Sequence, residues 1–319
     1  MKDELKNIFT SYWEYLALKT ACKKNIFDLI LSGKNTIKDI SISGNFNEAV
    51  LIDLITALEQ AKTLKIIDAK IFLTKKGELL TENNINSLKY ACIHWGEEHM
   101  TAWQNLEYTL TTGQQSFKYI YNKSFFDYLS DDKNRIENYH KAMNEYARDD
   151  YQNICKQHNF SIHKSITDIG GSLGALINII YKNNPNLKCF LFDKPEVIRL
   201  IKSEKIETIK GDFFENIPNL SDAIIMSRVI HDWNNEKAQI ILQNVYKALP
   251  KNGTLYLVEN LTDKIEDKAA LLSLNMHLIT ESYERSLLEY KLLLAKCNFI
   301  FTEFKKINKF QSLIIAKKK

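Results

Sequence analysis

The chain has 319 residues, 45% apolar and 26% charged, a composition of ordinary globular proteins and a length that predicts two domains. Its 43 basic and 39 acidic side chains leave a formal net charge of +4, a near balance that argues against a nucleic-acid partner. Five scattered cysteines without a C-x-x-C pair, no apolar run near the ~20 residues that span a bilayer, and a first segment without a signal-peptide core predict a cytoplasmic protein with no membrane partner, no disulfide framework and no metal site.

The first half contains no proline, whereas Pro185, Pro195, Pro218 and Pro250 all lie in the second. This shift predicts a mainly helical domain over 1–150 and an α/β domain over 151–319. Tyr15 to Ile30 reads as one helix. "TIKDIS" reads as a short helix capped by Thr36. Phe46 to Leu64 reads as a third, with Leu51, Leu54, Ile55 and Leu58 on one face. Two β-rich runs around Asp68-Ala69-Lys70 follow, completing a winged-helix order. The helix that would enter a DNA groove carries Glu48, Asp53 and Glu59, so packing in a homodimer is the better use than phosphate contact.

From Ser87 to Cys155 the helices are crowded with aromatics. Some must be core, but such flat side chains also suit an aromatic substrate. His94, Trp95, Phe117 and Met143 are the candidate pocket residues, together with Asn275 and Met276 further along.

After Ile162 strands and helices alternate, which predicts a doubly wound parallel sheet. The first strand runs through Asp168 into Gly170 and Gly171, with Gly174 at the helix that follows. Glycines there let a ligand approach the backbone. The next strand ends at Asp193, about 20 residues on, where an acid holds ribose hydroxyls. The third ends in Asp212-Phe213, placed for an adenine edge and face. No phosphate-binding loop or Lys/Arg pair accompanies them, so the expected nucleoside lacks phosphates, which points to S-adenosylmethionine. In "MSRVIHDWNNEKAQIIL", His231 stands between a strand and an amphipathic helix, as either a cap or a catalytic base.

"ITDIGGSLGAL", "FLFDKPEVI", "IKGDFFENIP", "MSRVIHDWNNEKAQIILQNVYKALPKNGTLYLVE" and "SYERSLLEYKLLLAKCNF" occur in that order. Together with "YWEYLALKTACKKNIFDLI" and "FFDYLSDDKNRIENYHKAM", they resemble the dimeric small-molecule O-methyltransferases typified by plant caffeic acid and bacterial antibiotic O-methyltransferases. The resemblance implies a Rossmann-like methyltransferase domain and an N-terminal winged-helix domain that dimerises and helps close the partner's pocket. It implies that Asp168, Gly170, Gly171, Asp193, Asp212, Phe213, Ser227 and Arg228 contact the cofactor. It also implies that His231 is the general base, flanked by Glu259 and Glu284. Three positions depart from the family pattern. Ser172 replaces a third glycine, Ser227 stands where a basic residue is frequent, and Glu281-Ser282-Tyr283 replaces a glycine-rich loop.

A phenol is mostly protonated at neutral pH, so a histidine base suits its methylation. The expected reaction is methyl transfer to a hydroxyl of a small aromatic or heteroaromatic metabolite. The same fold also serves N- or C-methylation and non-methylating reactions such as pericyclic or decarboxylative ones. A winged-helix regulator that senses the cofactor is a third reading.

Overall fold

The computed structural model describes residues 2–201, 205–263 and 269–319. The chain folds as two compact units, Met1–Met100 and Thr101–Lys319. Among the described residues no helix is long and apolar enough to cross a membrane.

The first unit begins with the helix Lys2–Lys23, and a second helix covers Ile26–Leu31. The single helix expected from Tyr15 to Ile30 is broken at Asn25, whose φ of 57° is left-handed. Asparagine tolerates that conformation better than most residues. The break is held by Lys89, a buried lysine whose Nζ donates to Asn25 Oδ1 at 2.7 Å and to Asp28 Oδ2 at 2.8 Å. Thr36 caps Ile37–Gly44, accepting from the Asp39 amide as expected. Asn47 caps Glu48–Gln60, which buries Leu51, Ile55 and Leu58. Strands β1 (Leu64–Ile67) and β2 (Lys70–Leu73) pair antiparallel around Asp68 and Ala69, both left-handed, as a tight hairpin of this twist requires. Four helices precede the hairpin, because the first of the three expected is split at Asn25; the order of helices and then hairpin is otherwise the one expected of a winged helix.

The second unit starts at Thr101, well ahead of the composition change near residue 150. The helices between those points bury their apolar faces inside this unit. Ala102, Phe117, Phe125, Leu129 and Ile136 pack with Leu278 and Ile279. The long helix Lys133–Tyr151 adds Ala147 and Tyr151 to the core beneath the sheet.

That sheet has seven strands: β3 (Ser165–Ile169), β4 (Lys188–Asp193), β5 (Glu207–Lys210), β6 (Ala223–Ser227), β7 (Thr254–Asn260), β8 (Phe299–Lys306) and β9 (Gln311–Lys318). Their order is β5-β4-β3-β6-β7-β9-β8. β3 to β7 are mutually parallel, and β9 runs antiparallel between β7 and β8. Successive side chains alternate between two cores. Ile224, Met226, Leu255 and Leu257 pack with helices Asn235–Ala248 and Leu287–Lys296. Ala223, Ile225, Tyr256 and Val258 pack on the other face with Ala175–Asn183. The strand order reverses between β3 and β6, which opens a crevice at the carboxyl ends of these strands.

In the core of that second face, Tyr256 joins two histidines. Its hydroxyl lies 2.8 Å from His158 Nε2 and 2.6 Å from His163 Nε2. His163 Nδ1 lies 3.4 Å from Asp222 Oδ2, which favours a proton on that nitrogen and an accepting Nε2. The phenol then donates to His163 and accepts from His158. Burial lowers the pKa of both imidazoles, that of His158 to about 4, so both are neutral at pH 7. Tyr256→Phe removes the shared group and is expected to cost about 1–3 kcal/mol, read as a lower midpoint in denaturant unfolding at pH 7. An unchanged midpoint would refute this proton arrangement.

Candidate active site

Four of the candidate site residues sit at the carboxyl ends of four adjacent parallel strands. Asp168 is the penultimate residue of β3, Asp193 ends β4, Ser227 ends β6 and Glu259 is penultimate in β7.

Gly170 leaves β3 with a left-handed φ of 69°. A side-chain carbon there would lie 2.8 Å from Val229 Cγ2, so the position needs glycine for both backbone and space. One at Gly171 would press on Asp168 Oδ2 at 2.7 Å. Ser172 is also left-handed, at φ 54°, which costs an L-residue about 1–2 kcal/mol. Its amide donates to Asp193 Oδ2 at 2.8 Å, and the Lys194 amide donates to Asp193 Oδ1 at 2.7 Å. The glycine loop is thereby tied to the acid that ends β4. Burial raises the Asp193 carboxyl to about 6 despite these donors.

Asp168 is almost fully buried, and among the described residues neither carboxylate oxygen has a hydrogen-bond partner at normal geometry, although the Ile177 amide approaches it. Burial, and then the nearby Asp193 charge, push its pKa up to about 8. A buried acid short of donors, next to a second one, favours a ligand carrying N–H groups and positive charge.

Asp212 has a local task. Its Oδ1 accepts from the Phe214 amide at 2.8 Å, closing the turn after β5. Phe213 and Phe214 meet Trp233 edge-on, at 6.1 and 4.7 Å between centroids, and Trp233 stacks on Phe126 at 5.5 Å. The four rings form one aromatic cluster beside the loop that carries His231.

That loop is built in three steps. β6 ends at Ser227, Arg228 turns left-handed at φ 52°, and a 3-10 turn covers Ile230–Asp232. Asn234 then caps Asn235–Ala248, accepting from the Lys237 amide. Asn234, not His231, is therefore the helix cap. His231 is buried, and its Nδ1 lies 2.8 Å from Glu284 Oε1. Asn260 Nδ2 donates to the same oxygen at 3.3 Å. Glu259 does not hold the imidazole: its Oε1 accepts from the Ile230 amide at 3.0 Å and so fixes the backbone beside it. Asp232 Oδ1 stands 3.7 Å from His231 Nε2.

Burial lowers the His231 pKa, but Glu284, Asp232 and Glu259 outweigh it and lift the imidazole to about 10. Burial lifts the Asp232 and Glu259 carboxyls to about 6 and 7, with the His231 charge pulling both back. The three acids thus hold a proton on the imidazole more firmly than water holds one on a free histidine.

Arg285 is the structural residue that the sequence did not single out. It is completely buried and donates to Ile230 O at 3.0 Å, Trp233 O at 2.7 Å and Asn235 Oδ1 at 3.1 and 3.0 Å. Ser282 Oγ also donates to Trp233 O, at 2.8 Å. These donors pin the His231 turn from the far side. The signal available was an arginine adjoining Glu284 in "SYERS".

The remaining expected residues fall in several places. Ser227 Oγ shares a 2.6 Å hydrogen bond with the Tyr151 hydroxyl, and Arg228 Nη1 lies 3.4 Å from Asp150 Oδ2. Both side chains thus engage the end of Lys133–Tyr151. Asn275 Oδ1 accepts from Trp103 Nε1 at 2.9 Å, and Met276 is buried beside it in the chain. Met143 is half-buried in Lys133–Tyr151. Phe117 is sealed among Tyr121, Phe125 and Tyr128 with no exposed surface. His94 and Trp95 belong to the first unit, edge-on to each other and to His99.

Residues 103–300 match the O-methyltransferase domain family. A phenazine O-methyltransferase of Lysobacter antibioticus is 27% identical over 306 residues, covering 92% of this chain and 90% of its own length. The 3-amino-4-hydroxybenzoate 4-O-methyltransferase of Streptomyces cremeus is 28% identical over 308 residues, covering 92% and 84%. In fold, the crystal structure of LaPhzM superposes with a TM-score of 0.94 at 24% identity, covering 99% of each chain. Human N-acetylserotonin methyltransferase in complex with S-adenosylmethionine gives 0.91 at 23% identity, covering 99% and 97%. The chain thus belongs to the O-methyltransferase domain family and is an S-adenosylmethionine-dependent enzyme.

Proposed function

We propose that this enzyme methylates a hydroxyl of a small aromatic or heteroaromatic metabolite with His231 as general base. The observation that carries this reading is the buried His231–Glu284 pair, 2.8 Å through Nδ1, on a turn at the carboxyl ends of the strands.

The residues at these strand ends fit the cofactor. Asp168, with its under-satisfied oxygens, and Asp193 favour its positive charge and hydroxyls. The Gly170-Gly171 backbone leaves room for close approach, and Phe213 offers a flat face. When bound, the cofactor supplies an electrophilic methyl on a positively charged sulfur. The protein must align an acceptor oxygen and take its proton. Glu284 holds a proton on Nδ1, which leaves Nε2 to accept the phenolic one, and the same carboxylate stabilises the imidazolium that results. A phenol near pKa 10 and an imidazole raised to about 10 are well matched for that transfer. Glu259 contributes by fixing the Ile230 backbone.

An exposed apolar stripe on Lys2–Lys23 supports a homodimer. Leu5, Ile8, Phe9, Tyr12 and Trp13 follow helical spacing and all face solvent in the single chain. All five cysteines are free, in keeping with a reducing, cytoplasmic location.

Incubation with S-adenosylmethionine and a panel of phenolic and heteroaromatic metabolites, read by mass spectrometry, tests the reading. A product heavier by one methylene, with S-adenosylhomocysteine formed, is expected. Turnover without that mass gain would refute it.

The base must be neutral to act, so activity is expected to rise with pH through the neutral range. Glu284→Gln removes the largest charge that raises His231. The rising limb of the kcat profile should then move to lower pH, because a less basic imidazole loses its proton earlier. Its plateau should also drop. A limb displaced to higher pH would remove Glu284 from this role.

A further inference from the structure

Ser172 occupies a position where glycine would be free of strain. Its backbone is left-handed at φ 54°, and its amide donates to Asp193 Oδ2 at 2.8 Å. Something must keep a residue with a side chain in that conformation. The Ser172 hydroxyl lies 2.6 Å from His140 Nδ1. His140 projects from the long helix Lys133–Tyr151, whose neighbouring turns bury Ile136, Ala142 and Ala147. The helix is anchored again at its end, where Tyr151 meets Ser227 and Asp150 meets Arg228. Burial lowers the His140 pKa to about 4, so the ring is a neutral hydrogen-bonding partner at pH 7.

We propose that His140 is a positioning residue for cofactor binding: through Ser172 Oγ it fastens the glycine loop to the helix Lys133–Tyr151, so that the Ser172 amide stays on Asp193. The side chain that disfavours the loop conformation is also the handle that holds it. This rests on the reading that the β3 and β4 ends hold the cofactor. His140 itself is given no contact with the reacting atoms.

The hydrogen bond predicts a thermodynamic pattern that burial alone would not. Binding of S-adenosylmethionine to the full-length protein is measured by calorimetry, with kcat followed at saturating cofactor. Losing one hydrogen bond should raise the Kd about five- to tenfold in His140→Ala. Ser172→Ala keeps the strained backbone without the hydroxyl, so it should show the same loss. The double variant should be no worse than either single one. His140→Gln, which can still reach the hydroxyl, should recover most of the affinity. Ser172→Gly adopts the loop conformation freely, so adding His140→Ala to it should change the Kd less than twofold. The effect should fall on Kd and KM more than on kcat.

The proposal is overturned if the singles bind as the wild type does. It is also overturned if their losses add, or if His140→Ala keeps its full penalty beside Ser172→Gly. A wild-type protein that fails to bind S-adenosylmethionine would instead refute the assignment of the cofactor site, and this proposal with it.

Discussion

His231→Ala is expected to lower kcat by at least about two orders of magnitude while S-adenosylmethionine binding stays close to wild type. Base catalysis contributes roughly 10²–10⁴-fold, and the upper part of that range applies when the base is held by a carboxylate. Glu284 supplies that hold at 2.8 Å, and Asn260 keeps the carboxylate from swinging away. The residues proposed to hold the cofactor, on and after β3, β4 and β5, do not include any of the 230–232 turn, so affinity for it should survive. The variant also relieves the three carboxylates of their common counter-charge, so its stability is to be measured alongside turnover. Near-normal kcat in a folded variant would mean that alignment alone drives the reaction and that His231 takes no proton.

Arg285→Ala should have the largest effect on stability, about 3–5 kcal/mol. Its guanidinium, itself fully buried, bonds two carbonyls and the Asn235 amide oxygen. Hydrogen bonds from a charged donor contribute about 1.5–3 kcal/mol each, and truncation leaves the acceptors without partners. At about 2–4 °C per kcal/mol for a domain of this size, the thermal midpoint should fall by roughly 10 °C. Activity should fall too, since the turn that aims His231 loses its rear support. Arg285→Lys should recover only part of either, because one ammonium cannot span the three acceptors of a planar fork. A midpoint within 2 °C or so of wild type would show that solvent or neighbouring donors replace the guanidinium.

The parallel strands were legible because β3, β4, β6 and β7 are buried on both faces and read as apolar runs, whereas the antiparallel β8 and β9 were not foreseen, β8 being largely exposed. "LKCFLFD" became β4 almost residue for residue, and "DAIIMSRVI" supplied β6, which stops at Ser227 because Arg228 turns left-handed. The Thr36 cap and the Asp68-Ala69 hairpin were equally legible, since their signals are local. The break at Asn25 was not, because the apolar pattern continues through it while the cause, Lys89, is distant in sequence. Fold class and family could be read from ordered motifs, but the division of labour between Glu259 and Glu284 could not. One bonds a backbone amide and the other a ring nitrogen, a difference set by how β7 and the 284–286 segment meet the turn. Arg285 was overlooked for a related reason: a charged residue in sequence reads as surface unless its partners are known. Phe117 and Asn275 show the same limit, since aromatic and amide residues look alike in a core and in a pocket.

The position of β9 has a consequence for the order in which the enzyme matures. Gln311–Lys318 lies between β7 and β8, and Glu259 pairs in register with Ser312. During synthesis, β3 to β6 and β8 can all leave the ribosome while β7 still has an open edge. All seven residues of β7 are buried in the finished sheet, so the nascent chain exposes a sticky apolar edge until residues 311–318 emerge. The strand bearing Glu259 is therefore completed out of chain order, by a strand made after β8, so the site's own strand stays open while the rest of the sheet is already available to pair.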